Sequence, residues 1–272
     1  MRYPRILIII PTWKRPEITE ICFQGLSRIR KHRDKVDVLV CGDNESLCKK
    51  YGITYTFFEN QPLGAKKNHL LKEALKHDWD YLMELNSDNV IKNDLLDIYD
   101  KLQDDYIALR NFCFMDSLTL EARQIESKTK FGIARRYSRK AIEACKVQKV
   151  YIKKSCISAF GTMNNGIEYD VKPYIANDLE KSGYADIISD VEIKLWDDKA
   201  SIGMDNHSNY RLNENGFFAN HLFTDEPLAV DIKSDVNIWK FNPGMGVKYN
   251  LEELLKGLPE VYGFITNKQA VI

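Results

Sequence analysis

The 272-residue sequence lacks any apolar run long enough to cross a bilayer. Its strongest, Arg5-Ile6-Leu7-Ile8-Ile9-Ile10, stops at Pro11 far short of the roughly 20 residues a span needs, and no cleavage site follows. The expected location is the cytoplasm. The six cysteines (Cys22, Cys41, Cys48, Cys113, Cys145 and Cys156) show no CxxC spacing, which argues against a disulfide framework and for core thiols in a reducing compartment. An excess of either charge is also missing, with 39 basic residues against 39 acidic, so only local patches can steer a polyanion. Internal repeats, low-complexity tracts and linkers are absent as well. A chain of this length without them reads as one domain over residues 1–272.

What is present alternates. Ile6 to Ile10 is an apolar, largely β-branched run without alternation, as expected of a strand covered on both faces, and Val36-Asp37-Val38-Leu39-Val40 makes a second strand. A helix with an Ile18, Ile21, Cys22, Leu26, Ile29 stripe separates them, opened by Pro16. A short strand near Ile53 to Phe58, a helix carrying Leu70, Leu71 and Leu75, another through Leu95 to Leu102, and a strand from Tyr106 to Phe114 continue the pattern. Such alternation predicts an α/β fold: a three-layer α/β/α sandwich around a mostly parallel sheet. Beyond it, Thr119 to Lys130 has no clear period, Phe131 to Lys140 reads as a basic turn running into a helix, and Val150 to Lys172 reads as loop. Helices are expected near Tyr174 to Lys181 and Met204 to Leu212, and an alternating strand over Leu228 to Lys233.

The centre of this arrangement is Tyr81-Leu82-Met83-Glu84-Leu85-Asn86-Ser87-Asp88-Asn89-Val90, an apolar strand ending in a polar cluster around one carboxylate. Open α/β sheets bind ligands outside the carboxyl ends of their strands. Gly64-Ala65-Lys66-Lys67-Asn68, at the start of a helix, suits a diphosphate, because free amides and ammonium groups both favour an anion there.

Several loops together resemble the GT-A glycosyltransferases, closest to the family 2 type, from about Ile6 to Gly216. Asn86-Ser87-Asp88 stands where that family has its DxD, with Asn in the first acidic position. The resemblance implies a divalent metal, Mn²⁺ or Mg²⁺, held at Asp88 with His221 as a second ligand, and a nucleotide-sugar donor, UDP-linked by preference. Pro11, Thr12 and Arg15 with Asp43 match the nucleotide side. Gly64, Lys67 and Asn68 match the element beside the phosphates, and Asn86 and Ser87 the donor ribose and diphosphate. Met204-Asp205, followed by Arg211-Leu212 and Gly216, is similar to the family's Glu-Asp element, which implies Asp205 as catalytic base and an inverting displacement. On this pattern residues 1–115 are the nucleotide-sugar half, and residues 116–272 the acceptor half with a C-terminal extension.

Plainer roles stand beside these. Asp88, Asp43 and Asp205 could each cap a helix, and Lys66 and Lys67 could be solvated. Trp196, Trp239 and Tyr169 could stack a sugar or belong to the core. The acceptor is open among a glycan, a small molecule and a hydroxymethylated base in DNA, as in phage DNA glycosyltransferases. The last would make the basic run Lys128 to Lys140 a groove contact whose binding falls with salt. A nucleotidyltransferase would be expected to show an early Gly-rich loop, which Pro11 to Pro16 lacks, and a noncatalytic sugar- or nucleic-acid-binding module would need no metal.

Overall fold

The apolar run after Arg5 becomes strand β1 (Ile6–Pro11), and every side chain from Ile6 to Ile10 is buried. The computed structural model describes residues 3–127, 133–158, 161–200, 204–235, 237 and 240–269, with the side chains of residues 158, 204, 205, 268 and 269 outside that description. From β1 the chain runs through α1 (Pro16–His32), β2 (Val36–Cys41), α2 (Glu45–Tyr51), β3 (Thr54–Thr56), α3 (Leu63–Ala74) and β4 (Tyr81–Glu84). Next come β5 (Asn89–Ile91), α4 (Asn93–Lys101), β6 (Tyr106–Leu109), β7 (Asn111–Asp116), β8 (Ala122–Glu126), β9 (Arg135–Ser138) and α5 (Arg139–Ala144). The remainder holds β10 (Lys146–Ile152), β11 (Cys156–Ser158), β12 (Gly161–Met163), β13 (Glu168–Val171), α6 (Pro173–Lys181), β14 (Ala185–Ile187) and β15 (Glu192–Ile193). It closes with α7 (Met204–Glu214), β16 (Asn220–Leu222), β17 (Ala229–Lys233), β18 (Val247–Lys248), α8 (Leu251–Leu255) and α9 (Pro259–Gln269).

The main sheet has the order β16-β6-β9-β4-β1-β2-β3, parallel throughout except at β9, which runs antiparallel between β4 and β6. Alternation along β1 divides the core into two layers. Ile6, Ile8 and Ile10 pack with Phe23 and Leu26 of α1 and Leu95 of α4, whereas Leu7 and Ile9 pack with Leu70 of α3, Ile142 of α5 and Leu212 of α7. The expected three-layer α/β/α arrangement therefore holds. A second sheet, β18-β8-β7-β17-β5, carries the chain past the end of β4, and α8 and α9 close over it.

Two expectations need correction. The stretch from Val150 to Lys172, expected as loop, lies mostly in short strands: β10 pairs with β13, β14 and β15, and β11 with β12. Of its breakers, Gly161 lies within β12 and Asn164 to Gly166 form the turn between β12 and β13, and Val150, Ile152, Met163, Ala176 and Ala185 form a small core of their own. The basic run also changes character. Arg135 and Arg136 lie in β9 and are fully buried, with Arg136 stacked 3.9 Å from the centre of the Tyr81 ring and donating to main-chain carbonyls of Tyr99 and Leu102. Of the rest, residues 128–132 lie outside the description, while Arg139 pairs with Glu143 and Lys140 with Asp105. A groove contact built on Arg135 and Arg136 is thereby removed.

Candidate active site at the strand ends

From β1 the chain steps outward to β2 and β3, then returns on the other side of β1 as β4. The loops after β1 and β4 therefore lead in opposite directions, opening a crevice at the switch point between the two strands. Arg15 bridges it: Nη1 donates to Asp88 Oδ2 at 2.8 Å and to Asn237 Oδ1 at 2.9 Å, and Nη2 donates to Ser87 Oγ at 3.1 Å. Asn237 Nδ2 donates to the same Asp88 oxygen at 2.7 Å. Both Lys14 and Arg15 have left-handed backbone, with φ of 53° and 57°. Such conformations cost of order 1–3 kcal/mol each and persist where the surroundings enforce them. Here they turn the Lys14 N–H onto Asp43 Oδ2 at 2.7 Å while the Arg15 side chain reaches Asp88.

A second carboxylate comes from far along the chain. β17 runs antiparallel to β5, setting Asp231 opposite Asn89, and the Ile232 N–H donates to the Asp88 carbonyl at 2.8 Å. Asp231 and Lys233, two residues apart on one face, form a buried pair at 2.7 Å. Asp231 Oδ1 is buried with no hydrogen-bond partner. Burial and then the charge of Asp88 push the Asp231 carboxyl up to about 7, against the pull of Lys233 and Arg15. The two carboxylates thus feel one another across the end of the crevice.

On the β2 side, Thr12 is buried with its N–H on the Cys41 carbonyl at 2.8 Å, and its own carbonyl accepts from the Lys66 ammonium. Burial lowers the pKa of Lys66. Gly42, at φ +149°, permits this approach, since a Cβ there would run into both the Thr12 carbonyl and the Lys66 ammonium. Asp43 is exposed, accepting from Lys14 N–H and from Asn44 Nδ2 at 2.8 Å. Trp13 stands exposed beside it, with the ammonium groups of Lys14 and Lys66 at 5.5 and 5.8 Å from its ring.

The α3 element is occupied otherwise than expected. Lys67, expected either in solvent or on a phosphate, is buried in an ion pair with Glu84, whose other oxygen accepts from Tyr137 at 3.0 Å. Burial raises the Glu84 pKa, but Lys67 and Arg135 outweigh it and hold the carboxyl below its ordinary range. Lys66, given the same two expectations, is likewise buried. The Gly64 N–H donates to the Ala200 carbonyl at 2.8 Å, and a Cβ at Gly64 would overlap the Asp197 carbonyl. Asn68 donates to the Trp196 carbonyl at 2.8 Å and to Asp198 at 2.7 Å, while accepting from the amides of Leu195 and Trp196. Gly64 and Asn68 therefore clamp the 195–200 segment that leads to α7. Trp196 is fully buried in the core.

Pro11 ends β1 in register with Cys41, and Asn86 sits partly exposed in a turn whose N–H bonds Asn89 Oδ1 at 2.8 Å. Thr12, Arg15, Asp43, Asn86, Ser87 and Asp88 thus all lie on the loops at one end of β1, β2 and β4. His221 lies apart from them in sequence pairing, exposed on β16 opposite Ala108. The late segment that bonds Asp88 is the one containing Ile232 and Asn237. Asp205 lies in the first turn of α7, but its side chain is outside the described residues, as is Trp239 entirely. Asp231, Lys233 and Asn237 were not anticipated. One signal existed: an Asp-x-Lys pair inside an apolar run buried on both faces needs a charged neighbour.

No family model matches the sequence, and no curated protein matches it. Solved structures do. A mannosyltransferase from Pyrobaculum calidifontis, in complex with GDP-Man and Mn²⁺, is 13% identical over 86% of this chain and 57% of its own, with a TM-score of 0.47. S. aureus TarS 1-349 is 11% identical over 84% of this chain and 60% of its own, with a TM-score of 0.48. The bifunctional IspDF from Campylobacter jejuni is 18% identical over 52% and 42%, with a TM-score of 0.34. The chain spans less than two-thirds of the length of each.

Proposed function

We propose that this chain is a GT-A-type glycosyltransferase, transferring a sugar from a nucleotide diphosphate donor to an acceptor hydroxyl. The observation that carries the reading is the convergence of Arg15, Ser87, Asp88 and Asp231 at the switch point, beside the Thr12 and Asp43 loops. The donor would lie along the ends of β2, β1 and β4, its nucleoside against Thr12, Trp13 and Asp43 and its diphosphate toward Arg15 and Asp88. A UDP-sugar is the first donor to test. Arg15 would meet the diphosphate as its charge grows on departure, with its guanidinium held by Ser87 and Asn237.

A divalent metal fits the residues present, although no group of three or more His, Cys, Asp or Glu converges among the described ones. Mg²⁺-type sites use one or two carboxylates and leave the remaining positions to substrate phosphates and water. Asp88 and Asp231 supply two, and the unpartnered Asp231 oxygen with its raised pKa is what a cation would satisfy. When bound, the metal would neutralise charge on the leaving diphosphate. In this reading Asp205 would take the proton of the attacking hydroxyl, and a direct displacement would invert the anomeric centre. The clamp from Gly64 and Asn68 then has a purpose, because it fixes the segment from which the Asp205 helix starts. Asp205→Asn is expected to abolish transfer while sparing donor binding by thermal shift; near-normal turnover would remove Asp205 from this role.

A further inference from the structure

Between the small sheet around β10 and helix α7 lies a cavity of about 380 Å³. Small-molecule sites span roughly 300–1,000 Å³, so a mono- or disaccharide-sized ligand fits. The cavity shares no residue with the Asp88 cluster; β10, β12, β13, the 197–199 loop and α7 line it.

Its lining carries as many carboxylates as ammonium and guanidinium groups, a balance that gives no net attraction to a polyanion. Within it, Arg211 Nη2 stands 3.5 Å from Asp170 Oδ2, longer than the roughly 2.7–2.9 Å of a well-made charge-assisted bond. Arg211 Nη1 and Asp170 Oδ1 are both buried and have no hydrogen-bond partner. Leaving such a group unmet costs about 1–3 kcal/mol, more when it is charged. A ligand group that accepts from Arg211 and donates to Asp170 would satisfy both. A hydroxyl does both through one oxygen, whereas an ionised phosphate accepts only and an ammonium donates only. Tyr169 and Tyr210 add ring surface at the wall.

We infer that this cavity binds a neutral, hydroxyl-rich ligand, a saccharide or polyol, through Arg211 and Asp170. Resting on the transferase reading, it is the acceptor site. The helix that lines it with His207, Tyr210 and Arg211 begins at Met204-Asp205, and the 197–199 wall is the segment Asn68 clamps.

The test is saturation-transfer NMR on the full chain with methyl glycosides, a hexose phosphate and glycine as probes, alongside thermal shift with UDP. Methyl glycosides should bind, and Arg211→Met and Asp170→Asn should each weaken them about 10-fold or more, as loss of a hydrogen bond to a charged group does. Tyr210 is largely exposed, so Tyr210→Ser should fold normally and weaken binding several-fold. Preference for the phosphate or the amino acid, or glycoside binding unchanged in these variants, overturns the inference. A UDP shift without glycoside binding sinks the cavity and spares the transferase reading. Glycoside binding without a UDP shift does the reverse.

Discussion

Two charged clusters hang from the same short strand. At Glu84, inside β4, the carboxylate holds Lys67 and Tyr137 and feels Arg135, all buried together. Four residues on, at Asp88, the carboxylate holds Arg15 and Asn237 at a crevice mouth, and its neighbour Asp231 keeps one oxygen unmet. Both set a carboxylate against a cationic side chain. The difference is pairing and position: each Glu84 oxygen has a partner and the first cluster braces the sheet, whereas at the second an Asp231 oxygen stays unmet at the strand ends, where ligands bind.

Breaking the first cluster should cost most. Lys67→Met leaves the Glu84 carboxylate without its partner and is expected to lower unfolding free energy by about 3–5 kcal/mol, read by denaturant titration. A loss under about 1 kcal/mol would mean the pair is not the brace described here. Next in size is Gly64→Ala, which forces a methyl into the Asp197 carbonyl. Overpacking of this kind costs about 1–3 kcal/mol, and transfer activity should fall with it because the 195–200 segment shifts; unchanged activity and stability would detach that segment from the site.

At the second cluster the effect on stability is smaller and depends on pH. Asp231 has a folded pKa of about 7, raised above its usual value. A raised carboxyl pKa means the folded state binds the proton more tightly than the unfolded chain. Its contribution to stability is therefore complete below pH ~4 and is lost as pH rises toward 7. Chemical denaturation across that window should show stability declining, and Asp231→Asn should flatten the slope. An identical slope in the variant would assign the titration elsewhere.

Much of this fold was legible from pattern alone. The unbroken apolar run Ile6 to Ile10 announces a buried parallel strand, and Asp88 follows four residues after the end of β4. What escaped had physical reasons. Arg135 and Arg136 look like solvent-facing charge, yet carbonyl acceptors and the Tyr81 ring allow them inside. Lys67 looks free until Glu84, 17 residues away, is folded against it. Asp231 and Asn237 reach Asp88 only through the pairing of β17 with β5, a contact about 140 residues apart that no local period encodes. Apart from β10, the strands of residues 146–193 have four residues or fewer, too short for alternation to stand out among Gly and Asn turns.

The most direct measurement is thermal shift and diphosphate release with UDP-sugars in Mn²⁺ or Mg²⁺, on wild type and Asp88→Ala. A shift and release with one donor are expected, both lost on chelation and in Asp88→Ala, while the variant itself stays folded. A shift of equal size in Asp88→Ala, or no response to any donor, would contradict the proposed function.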